Sequence, residues 1–167
     1  MMIIKPSSRF MMSHPAHWIA LGFGSGLSPK APGTIGTLWA WLVFLVLDPW
    51  LSTVHWLAVL AGGFVVGIWA CSQTAEHLEM ADPGNIVWDE ILAFWLILLL
   101  VMPAGFLGQC WAFALFRFFD AVKPAPVAWA DQLFKQARGW RQGFGIIFDD
   151  LVAALCTLVV IAIWTAL

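Results

Sequence analysis

Apolar residues fall in long runs separated by short polar clusters, and five of these runs read as membrane helices. The first, Ile35–Leu47, is stopped by Asp48 and Pro49. Its reach of ~20 Å is short of a ~30 Å hydrocarbon core, so it is expected to start earlier, near Thr34, or to sit in a thinned bilayer. The second, Leu51–Cys71, is long enough to span and carries Gly62, Gly63 and Gly67 for close helix packing. The third is Ile86–Met102 and the fourth Gly105–Phe119, which is short unless it runs on toward Val122. The fifth, Gly143–Leu167, reaches ~37 Å. A weaker segment, His17–Leu27, has glycine at every second position from Gly22 to Gly26, which makes poor helix interior. It reads as interfacial or re-entrant, closed by Ser28-Pro29 and Pro32-Gly33. The expected fold is all-α: a polytopic bundle of about five spans in one domain, 1–167, with 1–16 as a mobile N-terminal tail.

Composition supports this class. The chain has 167 residues, is 62% hydrophobic and only 11% charged, and its mean hydropathy is +0.86. A soluble domain carries about a quarter charged residues, so too little polar surface is present to cover a water-soluble globule of this size. A net charge of −2 supplies no basic field, which excludes nucleic acid as a partner. The 12 Trp suit a membrane–water interface. Cys71, Cys110 and Cys156 are widely spaced in apolar stretches and read as packing residues. His14, His17, His55 and His77 have no metal-type spacing and read as structural.

Charge placement gives an orientation. Lys5, Arg9 and Lys30 precede the first span, while Arg117, Lys123, Lys135, Arg138 and Arg141 lie at or in the connection between the fourth and fifth. With five spans all of them share the side of the N-terminus, which the positive-inside rule makes cytoplasmic. The acids follow. Asp89 and Glu90 open the third span, Asp120 closes the fourth, Asp149 and Asp150 lie near the start of the fifth, and Asp82 lies just upstream of the third. All six gather at one membrane face. The helix macrodipole alone accounts for an acid in a first turn. Two adjacent acid pairs plus Asp120, in a chain so poor in charge, ask for more. Carboxylates so close repel unless a cation binds them or some are protonated. An all-oxygen set selects a hard divalent cation, and Mg²⁺ works with carboxylates plus substrate phosphate. Arg117 and Asp120, at i and i+3, share a helix face. Arg117 offers phosphate a bidentate fork and Lys123 a point charge.

Four ordered blocks of sequence carry a resemblance. They are Gly22–Thr37 (GFGSGLSPKAPGTIGT), Asp82–Glu90 (DPGNIVWDE), Phe116–Pro126 (FRFFDAVKPAP) followed by Asp131, and Gly143–Asp150 (GFGIIFDD). Together they resemble the phosphatidylglycerophosphatase A family of bacterial inner-membrane lipid phosphatases. The resemblance implies Mg²⁺-dependent removal of the terminal phosphate of phosphatidylglycerophosphate, giving phosphatidylglycerol, a precursor of cardiolipin, in phospholipid biosynthesis. It implies a multi-pass protein of the inner membrane that acts on its cytoplasmic side, with membrane lipids as surroundings. The acids that match are Asp82, Asp89, Glu90, Asp120, Asp149 and Asp150. Arg117 and Lys123 match the basic positions, and Gly33, Thr34 and Gly36 the glycine-rich turn. Ala93 and Ala154 stand where the family usually shows glycine, each adding a methyl at a helix contact.

On this reading Asp89, Glu90, Asp149 and Asp150 ligate the metal, with Asp82 or Asp120 contributing directly or through water. Arg117 and Lys123 hold phosphate oxygens, and the backbone N–H groups of the Pro32-Gly33-Thr34 turn face phosphate at a helix N-terminus. A carboxylate then orients or deprotonates the attacking water, and an aspartyl-phosphate route is the less favoured variant. The rival class is a small transporter or channel subunit with intramembrane carboxylates. It would more often place them near the midplane and show repeat-related broken helices.

Overall fold

The computed structural model describes residues 6–166. Among them the fold is all-helical: α1 (Ser8–Met12), α2 (Pro15–Ala20), a 3₁₀ turn at Gly22–Leu27, α3 (Pro32–Leu47), α4 (Thr53–His77), α5 (Trp88–Val101), α6 (Phe106–Val122), α7 (Ala125–Leu133) and α8 (Trp140–Ala166). Local chemistry sets these limits. Pro32 sits in the first turn of α3, where its missing N–H costs nothing. Ser52 and His55 cap α4 reciprocally, each side chain accepting from the other's backbone N–H. Pro124 cannot continue α6, and Lys123 turns the chain in the left-handed region at φ 48°.

Helix α5 is apolar on every side apart from Asp89 and Glu90, and it is the buried axis of the molecule. It packs against α3, α4, α6 and α8. Two indoles fasten it. Trp88 Nε1 donates to the Gly63 carbonyl at 3.0 Å, and Trp95 Nε1 to the Ala40 carbonyl at 2.8 Å. Close approach depends on missing side chains. A Cβ on Gly67 would fall 2.6 Å from Trp88 Cδ1, and one on Gly143 would strike the Ile68 carbonyl of α4. Gly62 faces open space and makes no such contact. Ala93 and Ala154 are fully buried, so their extra methyls do lie at helix contacts.

Several expectations need correction. Among the described residues two helices, α4 and α8, are by themselves long and apolar enough to cross a membrane, fewer than the five expected. The others are shorter: α3 has 16 residues, α5 14 and α6 17, or ~24, ~21 and ~25 Å. Asp48-Pro49 and Pro103 end α3 and α5, and the loop before Trp88 delays the start of α5. The tail expected over 1–16 instead holds α1 (Ser8–Met12) and the start of α2 at Pro15, with Met11 and Ala16 buried. Residues 1–5 of that tail, Lys5 among them, lie outside the described residues. The connection before α8 contains an unexpected helix, α7, packed on α8. The histidines have structural partners. His14 caps α2, His55 caps α4, and His17 Nε2 lies 2.9 Å from His77 Nδ1, tying α2 to the end of α4.

Candidate active site

Three carboxylates meet where α5 and α8 cross. Asp89 and Glu90 come from the first turn of α5, and Asp150 from about three turns inside α8. Each offers one oxygen, and the three oxygens all lie within 4.8 Å of one another. All three residues are buried, Asp150 to 2% exposure. Asp89 Oδ1, Glu90 Oε2 and Asp150 Oδ2 are buried without a hydrogen-bond partner among the described residues. The macrodipole does not explain Asp149 and Asp150, since its influence fades within the first turn and they stand well beyond it.

One cation faces this group. Arg117, on α6, pairs with Asp120 one turn on at 2.5 Å and reaches Glu90 at 3.6 Å. Its Nη1 also donates to Thr37 Oγ1 at 3.4 Å, and Thr37 donates to the Gly33 carbonyl at 2.8 Å. Arg117 Nε is buried and unpartnered. A single guanidinium leaves four carboxylates undercompensated, and buried charges of one sign are stable only with a further cation or proton. An all-oxygen set with unsatisfied lone pairs fits a hard divalent ion such as Mg²⁺. The glycine-rich turn closes over it. Gly33, in the first turn of α3, lies so close that a Cβ would collide with Glu90 Oε1 and stand 3.1 Å from the Arg117 guanidinium. Gly36 packs instead on Val87, and Thr34 is half-buried with no side-chain hydrogen bond among the described residues.

A second cluster lies beside the first. Lys123 Nζ donates to Asp131 at 2.5 Å and to Asp149 at 2.6 Å. The left-handed turn at Lys123 aims its side chain back between α7 and α8. Burial works against the ammonium, but the two carboxylates outweigh it and hold the Lys123 pKa above its ordinary value. Asp82 shares a crevice of about 100 Å³ with Asp131 and Asp149. Its carboxylate is reached by water yet crowded by protein. That crowding raises its pKa against the pull of Lys123. Gln142 fixes this loop by donating to the Met80 and Ala81 carbonyls at 2.9 and 2.8 Å.

The structure thus divides the predicted residues. Asp89, Glu90, Asp150, Asp120, Arg117 and Gly33 converge. Asp149, grouped by sequence with the metal ligands, faces Lys123 instead, and Asp82 stands apart at the crevice. Thr37 and the Lys123 clasp on Asp131 were missed as site features. The spacing Gly33-x-x-x-Thr37 puts both on one helical face and was the available signal. Asp131 carried none beyond its place after the third block.

A family model described as Phosphatidylglycerophosphatase A matches residues 18–165. The chain belongs to the phosphatidylglycerophosphatase A family. It is similar to the Phosphatidylglycerophosphatase A of Escherichia coli strain K12, 38% identical over 89% of this chain and 82% of the relative. It is similar to the protein of that name from Haemophilus influenzae, 35% identical over 94% and 93%. A relative from Bacteroides thetaiotaomicron, 36% identical over 87% and 90%, bears the provisional name of a phosphatidylinositol-3-phosphatase. No solved structure matches. As a member of the phosphatidylglycerophosphatase A family this chain is an enzyme, a phosphatase, and the matched region contains both clusters.

Proposed function

We propose that the chain hydrolyses the terminal phosphate monoester of phosphatidylglycerophosphate to phosphatidylglycerol and inorganic phosphate, as a Mg²⁺-dependent step of phospholipid biosynthesis at the cytoplasmic face of a bacterial inner membrane. The observation that carries this reading is the set of three buried carboxylates with unpartnered oxygens beside one partly satisfied guanidinium. Asp89, Glu90 and Asp150 would hold a divalent cation, which would supply Lewis acidity for phosphate-ester hydrolysis. Arg117 binds the non-reacting phosphate oxygens, with Asp120 and Thr37 fixing the plane of its fork and Nε left as a free donor. Gly33, lacking a side chain, lets the start of α3 close directly onto Glu90 and the Arg117 guanidinium. A carboxylate of the cluster takes the proton of the attacking water as the glycerol oxygen leaves. Lys123 holds Asp149 in place, and Asp82 lines the approach.

The membrane setting rests on exposed apolar faces. Only 22% of the apolar stretch of α4 and 39% of that of α8 is buried, unlike the core helices of a soluble protein. The short α5 is sheathed by its neighbours, so its ends need not meet lipid. On this basis α4 and α8 cross the membrane, and the shorter α3, α5 and α6 are proposed to cross beside them. The basic residues then lie on the cytoplasmic side.

The test is phosphate release from phosphatidylglycerophosphate by the purified protein in detergent. Release is expected with Mg²⁺, abolished by chelator, and reduced more than about 100-fold in Asp89→Asn. Release that persists with chelator, or in that variant, would reject the metal assignment. No release from well-folded wild type would reject the substrate.

A further inference from the structure

The five cations named at or after α6 do not behave alike. Arg117 and Lys123 are tied to carboxylates, whereas Lys135, Arg138 and Arg141 are exposed and form no ion pair among the described residues. Those three line one open cavity of about 780 Å³ between the end of α7 and the start of α8, together with the neutral donors Gln132 and Gln136. No carboxylate lines this basin; Glu76 and Glu79 line the adjoining cavity of about 730 Å³, which Lys135 and Arg138 border from the other side. Lys135 and Phe134 also line the crevice that holds Asp82, Asp131 and Asp149, so the basin adjoins the acidic site. Leu133, which also lines the basin, is 53% exposed, and Trp140, next in the chain to Arg141, is 68% exposed. Unpaired cations beside an exposed indole and leucine match the polar–apolar boundary of a bilayer, where a free anion in water would have no use for the apolar flank.

We propose that this basin is a docking site for the phosphodiester head group of an anionic phospholipid, separate from the site that hydrolyses phosphate. The lipid phosphate sits among Lys135, Arg138 and Arg141, and its acyl chains run along Trp140 and Leu133. The proposal takes its bilayer setting from the lipid-phosphatase reading but requires no hydrolysis.

The test is a native mass-spectrometry titration of the full-length protein in neutral detergent with short-chain phosphatidylglycerol, phosphatidylcholine and inorganic phosphate. Wild type and Asp89→Asn are expected to bind phosphatidylglycerol equally. The triple variant Lys135→Ala, Arg138→Ala, Arg141→Ala is expected to bind it roughly 100-fold more weakly, about five-fold for each cation lost. A charge-keeping triple variant, Lys135→Arg, Arg138→Lys, Arg141→Lys, is expected to stay within about three-fold of wild type, because surface attraction depends on charge more than on fork geometry. Unchanged affinity in the alanine variant would overturn the proposal. So would phosphatidylcholine binding as tightly, or inorganic phosphate displacing the lipid at equal concentration. Failure of the phosphatase reading would instead appear as no phosphate release from wild type, with lipid binding intact.

Discussion

Asp149 and Asp150 are neighbours on α8 and end in opposite surroundings. Asp150 meets Asp89 and Glu90 in a buried pocket where oxygens lack partners among the described residues, while Asp149 accepts from an ammonium that Asp131 also holds. Successive residues on a helix point about 100° apart, so one adjacent pair can serve two sites. The first cluster keeps charge uncompensated, which is unfavourable for folding and useful for holding a cation. The second pairs its charge and joins α6, α7 and α8. The proposed reactive cluster and the architectural one are separated by one residue of sequence.

The comparison breaks most sharply at Arg117. Arg117→Ala should lower kcat by about 100-fold or more, and Arg117→Lys should recover little, since an ammonium lacks the fork. Recovery to wild-type rates in the lysine variant would mean that charge alone suffices. A middle-sized effect is expected at the clasp. Lys123→Ala leaves Asp149 buried beside Asp131 without its cation and should destabilise the fold by about 3 kcal/mol, read as a fall in melting temperature. Asp89→Asn should leave that temperature unchanged or raise it, because it removes an unpaired charge. The sign for Lys123 is clear: its pKa is raised on folding, so its contribution is full below the ordinary lysine value of about 10 and is lost only as pH rises beyond that. Lys123 therefore keeps its charge across the pH range of an assay. The smallest effect belongs to Asp82. Its pKa is raised on folding, so its ionised form slightly opposes folding above the ordinary carboxylate range. Asp82→Asn should gain a little stability at pH 7, and the gain should vanish as pH falls through about 4. A gain that persists at low pH would place its origin outside titration.

Much of this was legible beforehand. Helix class, the apolar runs and the family all followed from residue order, as did the clustering of Asp89, Glu90, Asp120 and Asp150. The Arg117–Asp120 pair followed from i, i+3 spacing and stands as expected. Helix α7 was hidden because Ala125–Leu133 is short, begins beside two prolines and shows no long apolar run. The partition of the acids was hidden too, since adjacent carboxylates look alike in sequence. Gly33 was recognisable as part of a turn, but nothing local announced that its missing side chain makes room for Glu90, a residue more than fifty positions away.

Sequence by itself determined the class of molecule, because hydropathy and charge are properties of composition and of short periodic runs. It also singled out the candidate residues for chemistry, because carboxylates and a guanidinium cannot be concealed in so apolar a chain. Tertiary structure alone decided which carboxylate keeps an unpartnered oxygen, which one a lysine neutralises, and which cations stay free for a partner. Those outcomes depend on helix rotation and on close approach at Gly33, Gly67 and Gly143. Electrostatic energy varies with distances of a few ångströms, and helix packing sets those distances.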